Sequence, residues 1–244
     1  DKVSHAYMLA GEKGNGKKVL AKLCAMTLQC EKHGKEPCLQ CSSCKKAMNR
    51  NHPDIIYVTH EKPNSIGIED IREQLIGDVA IHPYIGPYKG YNVDEAEKMT
   101  VQAQDALLKT SAQPPAYAVI LLLVNYRGSL LPTISSRCVT LNFKPVRDEV
   151  IKKYLMEELH VPDYQAEVSV AFAQGNVGKA KQIATAEDFT EMMESALRIL
   201  KKGNDMEVYE MVDAIRMLSE DKHTIYEYLD IFLVCFLDVL MFKA

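Results

Sequence analysis

The feature that most constrains this chain is a glycine-rich segment near its beginning. Residues 11–17 read G-E-K-G-N-G-K and match the phosphate-binding pattern G-x-x-x-x-G-K. That pattern requires a strand before the loop and a helix after it, because the N–H groups of the loop and of the first helical turn surround the phosphate oxygens. The apolar run 7–10 and the helical pattern of 17–28 provide both. The motif therefore predicts a strand–loop–helix unit of an α/β nucleotide-binding domain.

The residue that follows the loop departs from the pattern. A serine or threonine normally stands there, and its hydroxyl binds the Mg²⁺ of a nucleoside triphosphate. This chain has Lys18 instead, which offers no acceptor atom and adds a positive charge beside the metal position. We therefore expect no binding of ATP and Mg²⁺ at this loop, or only weak binding.

A second candidate for nucleotide chemistry is the acidic sequence D-E-A-E at 94–97, which follows the residues Y-N-V. An aspartate and a glutamate after a strand can hold a metal and orient a hydrolytic water. Gly90 and Asn92 are unfavourable in a buried strand, and a solvated helix start explains the acidic pair about as well. The candidate nucleotide-site residues are Gly11, Gly14, Gly16, Lys17, Lys18, Asp94 and Glu95.

Four of the seven cysteines form a cluster with the spacing C-x7-C-x2-C-x2-C. This spacing favours one tetrahedral zinc, although an iron–sulfur cluster is an alternative, as are four unrelated thiols. Four thiolates leave no open coordination position, so the zinc would be structural. His33 is a weaker candidate ligand, and Cys24 is expected to be a buried helix residue. The predicted ligands are Cys30, Cys38, Cys41 and Cys44.

Strand and helix patterns divide the chain at about Pro145. Before it, the apolar runs 55–58, 119–124 and 139–143 alternate with helical segments, which predicts a parallel α/β sheet. After it, only helical patterns remain, and three longer amphipathic helices begin near Phe189, with breaks at 203–204 and near Asp221. The predicted domains are 1–145 with a zinc module at 30–44, three short helices at 146–186, and longer helices at 187–244.

The last of these helices carries apolar residues at helical spacing, which predicts a core-facing stripe. Acidic residues interrupt its apolar stretch, so we do not expect a membrane span. The net charge of −4 also argues against a basic nucleic-acid-binding footprint over the whole chain. The stripe is formed by Ile225, Leu229, Phe232, Phe236 and Leu240.

Residues 136–138, S-R-C, follow the long apolar run 119–124. An arginine in such a place can offer its guanidinium to a phosphate held by a neighbouring subunit, as an arginine finger does. Considered without its context, Arg137 is more simply explained as a surface residue in an ion pair.

As an ordered set, these motifs resemble the bacterial clamp-loader ATPase family. The set comprises H-A-Y at 5–7, the phosphate-binding loop, the four-cysteine insert, D-E-A-E at 94–97 and L-P-T-I-S-S-R-C at 131–138. The family contains the gamma/tau and delta-prime subunits of DNA polymerase III and belongs to the AAA+ class. The resemblance implies an α/β fold: a RecA-like AAA+ parallel-sheet domain with a zinc-binding insert, an all-helical lid and a truncated helical collar.

Two departures from the ATPase members imply a delta-prime-like role. Lys18 replaces the Mg²⁺ ligand, and Gly178 stands where the lid of an active member carries its sensor arginine, while Asn125 matches the first sensor. The resemblance therefore implies a non-hydrolysing accessory subunit of a DNA-directed DNA polymerase complex. It would donate Arg137, with Ser136 fixing the loop, to ATP on an adjacent subunit.

The resemblance also implies the partners. They are gamma/tau and delta subunits in a hetero-pentamer, with the sliding clamp and primer-template DNA reached through the complex, in the cytoplasm and without a membrane. One alternative is an ATP-hydrolysing gamma/tau-type subunit that tolerates Lys18. Another is a zinc-bearing nucleic-acid-binding module, with basic residues around the cysteines. These basic residues are Lys32, Lys35, Lys45, Lys46 and Arg50.

Overall fold

The fold is taken from a computed structural model, which describes residues 3–111, 114–186, 189–202 and 222–243, together with 206, 207, 209, 210, 212, 215 and 216. The chain divides into two compact units, 1–144 and 145–244. Within the described residues, the first unit combines a sheet with helices, and the second contains helices only.

A five-stranded sheet forms the centre of the first unit. Its strand order is β2-β3-β4-β1-β5, and every neighbouring pair is parallel. β4 is buried along its whole length, which explains why its sequence is continuously apolar rather than alternating. The prediction of a parallel α/β sheet is confirmed. The strands are β1 (Ala6–Ala10), β2 (Ile55–Val58), β3 (Lys89–Val93), β4 (Ala118–Val124) and β5 (Val139–Asn142).

Helices cover both faces of this sheet. Leu9 and Leu121 face α1, whereas Met8 and Leu122 belong to a larger core that includes residues of α3 and α5. A π-helical turn (Arg72–Ile76) joins α3 to α4. The helices are α1 (Lys17–Gln29), α2 (Ser42–Met48), α3 (Ile68–Ile71), α4 (Gly77–Val79), α5 (Val101–Ser111) and α6 (Pro132–Ser135).

β3 is fully buried although Gly90 and Asn92 are unfavourable in such a strand. A Cβ built on Gly90 would lie 3.9 Å from the Cβ of Ala25 in α1, which is an ordinary van der Waals contact, so the packing of α1 does not require the glycine. The pairing of β3 with both neighbouring strands and the burial of its apolar side chains outweigh the low strand propensity of these two positions. β3 ends at Val93, directly before the first residue of the acidic pair, Asp94.

Three short helices of the second unit share a core. Ile151 and Leu155 from the first helix pack with Ala166 and Val170 from the second and Ala180 from the third. Two longer helices follow, and the middle of the three that the sequence predicts after Phe189 lies partly outside the described residues. The helices are α7 (Asp148–Leu159), α8 (Asp163–Ala173), α9 (Val177–Thr185), α10 (Phe189–Lys202) and α11 (Lys222–Lys243).

The predicted core stripe of α11 is wrong for most of its members. Leu229 and Phe236 are 55% and 58% exposed, and Leu240 is also exposed, whereas Tyr228 and Ile231 pack with Ala196 of α10. α11 is apolar on most of its circumference, so spacing alone could not identify the inward face. Among the helices described here, none has a stretch that is both apolar and long enough to cross a bilayer.

Candidate functional site

The glycine-rich loop lies at the carboxyl ends of the central strands. The N–H of Gly11 donates to the carbonyl of Val124 at 3.1 Å, which ties the loop to the end of β4. Gly14 and Gly16 have φ values of 100° and 84°, a conformation that favours glycine. Gly16 immediately precedes α1, so the loop leads directly to the unsatisfied N–H groups of that helix.

Lys17 is turned into the loop. Its side chain is buried, and its Nζ donates to the carbonyl of Gly11 and to Oδ1 of Asn125, the latter at 3.3 Å. Burial lowers the pKa of Lys17. The structure therefore brings together the lysine of the loop and the residue that matches the first sensor.

Lys18 is turned outward and contacts the first acidic residue. Its Nζ lies 2.5 Å from Oδ2 of Asp94, which directly follows β3. Mg²⁺ requires oxygen ligands in octahedral geometry, usually carboxylates, phosphates and water. Here the hydroxyl ligand is missing, and the carboxylate that would serve the metal is bound to an ammonium. These residues do not fit a Mg²⁺ site.

The second acidic residue is also paired with a lysine. Oε2 of Glu95 lies 2.6 Å from Nζ of Lys98, which also donates to the carbonyl of Pro63 at 2.8 Å. The hydrogen bond from Lys98 lowers the pKa of Glu95. The carboxylate that would orient a water in an active ATPase is therefore engaged by a neighbouring side chain.

Arg137 lies on the surface just after α6. Its Nη1 donates to the carbonyl of Thr133 at 2.9 Å, and the hydroxyl of Ser136 donates to the same carbonyl at 3.1 Å. Within the part of the chain that the structure describes, no carboxylate lies within ion-pair distance of the guanidinium. Among the described residues, Arg137 therefore has no partner for the surface ion pair that would explain it most simply.

The four clustered cysteines meet around one point. Their Sγ atoms all lie within 4.8 Å of one another. The Sγ atoms of Cys38 and Cys44 are 4.0 Å apart, close to the roughly 3.8 Å expected for two thiolates on a tetrahedral zinc. Backbone N–H groups also donate to sulfur, from Cys38 to Cys30, from Cys41 to Cys38 and from Cys44 to Cys41. The donor set fits a closed zinc site.

The other two candidates near this module lie outside the group. His33 is exposed and does not belong to it. Cys24 packs on the α1 face of the sheet, and burial raises the pKa of its thiol. The sequence predicts that Cys24 is a buried helix residue rather than a ligand; it is a residue of α1 outside the thiolate group, but its side chain is only partly buried.

Sequence reasoning missed a buried polar chain beside the zinc module. Nε2 of His52 lies 2.7 Å from the hydroxyl of Ser43, and its Nδ1 accepts from the N–H of Asp54 at 3.2 Å. Because Nδ1 is an acceptor, Nε2 carries the proton and donates to Ser43. The carboxylate of Asp54, which is fully buried, accepts from the N–H groups of residues 84–86. The feature of the sequence that could have indicated this arrangement is Asp54 itself, a charged residue directly before the apolar strand β2.

A parallel sheet of this order, with a phosphate-binding loop after β1 and an acidic pair after β3, defines the class of P-loop nucleotide-binding proteins. A protein-family model described as "DNA polymerase III, delta subunit" matches residues 1–147. The chain belongs to this family, and the resemblance to clamp-loader subunits is confirmed.

Individual relatives agree with this assignment. DNA polymerase III subunit delta' of Bacillus subtilis is 31% identical over 82% of this chain and 59% of its own length. Subunit tau of the same organism is 27% identical over 100% of this chain and 46% of its own length. The chain thus spans about half the length of these relatives. A DNA polymerase III gamma subunit-related protein from Thermotoga maritima has the same fold, with a TM-score of 0.53, 22% identity, and coverage of 94% of this chain and 73% of its own.

Proposed function

We propose that this chain is a non-hydrolysing clamp-loader subunit of DNA polymerase III that lends Arg137 to ATP bound by a neighbouring gamma/tau subunit. The observation that carries this proposal is the state of Arg137. Its guanidinium is exposed, is held only by the carbonyl of Thr133, and has no carboxylate partner among the described residues. An arginine finger needs such a group, because its donors must remain available to a phosphate that another chain brings.

The chain's own loop supports the non-hydrolysing half of the proposal. Both carboxylates that could assist hydrolysis are paired with lysines, Asp94 with Lys18 and Glu95 with Lys98. Hydrolysis in P-loop proteins depends on Mg²⁺ bridging the terminal phosphates and on a positioned water. A site that engages both carboxylates internally is poorly suited to either task.

The remaining parts have roles within the complex. Residues 146–186 act as the lid and 187–244 as part of the collar that joins gamma/tau and delta subunits in a pentamer. The sliding clamp and primer-template DNA are reached through that assembly. Zinc, when bound, cross-links the end of α1 to α2 through the four thiolates, and it takes no part in chemistry because the site is closed.

The test is the DNA-stimulated ATPase of a complex reconstituted from the full-length chain with gamma/tau and delta subunits. Arg137→Ala should leave assembly intact and lower turnover, since an arginine finger contributes about 10³-fold or more at the site that it serves. Arg137→Lys keeps the charge but loses the planar fork, so it should rescue only part of the activity.

Arg127→Ala is the matched control, because Arg127 is also an exposed arginine and lies on a neighbouring turn. It should leave the ATPase unchanged. Full ATPase activity in an assembled Arg137→Ala complex would disprove the finger role.

The second candidate, an ATP-hydrolysing gamma/tau-type subunit, is favoured by one observation: Lys17 and Asn125 retain their places at the loop. The isolated full-length chain distinguishes the two. Steady Mg-ATP turnover by that chain, lost on Lys17→Ala, would establish the ATPase and overturn the non-hydrolysing proposal.

A further inference from the structure

The contact between Lys18 and Asp94 joins two departures from an active P-loop site, namely the missing hydroxyl and the acidic residue that is already paired. In an active P-loop protein the hydroxyl at the position of Lys18 and the acidic residue at the position of Asp94 serve the same Mg²⁺. Here an ammonium comes from the first turn of α1, and its Nζ meets Oδ2 of Asp94 at 2.5 Å. The carboxylate is thus neutralised from within the chain.

We propose that Lys18 is a built-in cation that takes the place of Mg²⁺, so that this loop excludes the metal and accepts a nucleotide polyphosphate in its metal-free form. The inference deepens the proposed function and rests on its non-hydrolysing half, not on the role of Arg137. It identifies Lys18 as the residue that determines which form of the ligand binds.

Three features of the site support this assignment. Lys17 points into the loop, on Gly11 and Asn125, so the two adjacent lysines do not compete for one position. Lys18 and Asp94 are 65% and 41% exposed, so the pair lies where a ligand can reach it. A divalent cation would have to displace the ammonium of Lys18 from Asp94 and would then lie next to that ammonium. The repulsion between the two positive charges opposes this arrangement.

The same charges favour a phosphate chain without metal. A metal-free polyphosphate carries the negative charge that Mg²⁺ otherwise neutralises, and two ammonium groups with the loop N–H groups supply compensation. An ammonium has three N–H donors and most of the Lys18 side chain is in solvent, so this group can donate to a phosphate oxygen while it stays beside Asp94. ATP and inorganic pyrophosphate, each without Mg²⁺, are the probes that follow from this reasoning.

The test measures binding of labelled ATP and of pyrophosphate to the full-length chain, once with excess Mg²⁺ and once with a chelator. The unaltered protein should bind both probes at least as tightly with the chelator as with Mg²⁺. Lys18→Thr restores a hydroxyl and frees Asp94, so it should bind about tenfold or more tightly with Mg²⁺ than without it. Mn²⁺ detected by paramagnetic resonance should bind to this variant with ATP and not to the unaltered chain.

Two further variants separate this role from a general charge effect. Lys22→Thr removes the same charge from the same helix, but Lys22 donates to the carbonyl of Met48 and does not contact Asp94. This variant should therefore keep the preference for the metal-free probes. Adding Asp94→Asn to Lys18→Thr should remove the gained metal dependence while the loop remains folded.

The proposal is overturned if the unaltered chain binds neither probe, or if it requires Mg²⁺ as strongly as Lys18→Thr does. These outcomes are distinct from failure of the finger role, which the ATPase of the Arg137→Ala complex measures on a different subunit. A chain that binds metal-free ATP yet gives an unaffected Arg137→Ala complex would keep this inference and refute the finger.

Discussion

Replacing Asp54 by asparagine should destabilise the first unit by about 3 kcal/mol, because the buried carboxylate organises the loop before β3. Its oxygens accept the N–H groups of Tyr84, Ile85 and Gly86 at 2.6, 2.8 and 3.1 Å. An amide can accept only through its oxygen, so one N–H faces an NH₂ group and loses a bond worth about 1.5–3 kcal/mol. The two remaining bonds lose their charge assistance, and the lower cost of burying a neutral group offsets part of this.

Hydrogen exchange and chemical denaturation together test this estimate. In Asp54→Asn, the amides of residues 84–86 should lose protection first, and the urea midpoint followed by far-UV circular dichroism should fall. Asp105→Asn is the matched control, because Asp105 is an exposed aspartate of the same unit. Unchanged protection of the three amides, or a free energy of unfolding within about 0.5 kcal/mol of the original, would refute the reasoning.

Three more predictions follow from other contacts. Burial lowers the pKa of His52, so below about pH 6.5 the unfolded chain binds more protons than the folded chain. The free energy of unfolding should therefore decline as the pH falls through this range. In His52→Gln, the urea midpoint should depend less on pH over the same range. Chelation of zinc, or the variant Cys44→Ser, should abolish the bound zinc measured by elemental analysis and make residues 30–44 sensitive to proteolysis. One zinc per chain in the variant would contradict the ligand set. Gly11→Ala should cost about 1–3 kcal/mol in thermal denaturation, because its Cβ would lie 2.7 Å from the Cβ of Phe143.

The sequence was sufficient where the determining pattern is local. β4 and β2 are continuous apolar runs because both faces of a parallel sheet are covered, and the cysteine spacing places the thiolates within reach of one ion. The Lys18–Asp94 pair could not be predicted in this way. Its members are far apart in the chain and meet only because the strand order places β3 near the start of α1.

Helix α11 shows a different limit. Its apolar residues surround most of the helix, so their spacing fits several inward faces equally well. The face with Tyr228 and Ile231 is selected by packing against Ala196, a contact between two helices that the periodicity of one helix does not contain. Tertiary packing therefore decided which interpretation of the pattern was correct.

The retention of a phosphate-binding loop in a chain proposed not to hydrolyse ATP has a structural explanation. Gly11 joins the loop to β4 through Val124 and lies against Phe143 just after β5, while Lys17 connects Gly11 to Asn125. The loop thus holds together the carboxyl ends of the central strands whether or not a nucleotide is turned over. Lys18 lies outside this set of contacts and pairs with Asp94 instead, so a lysine at the metal position is compatible with the folded loop.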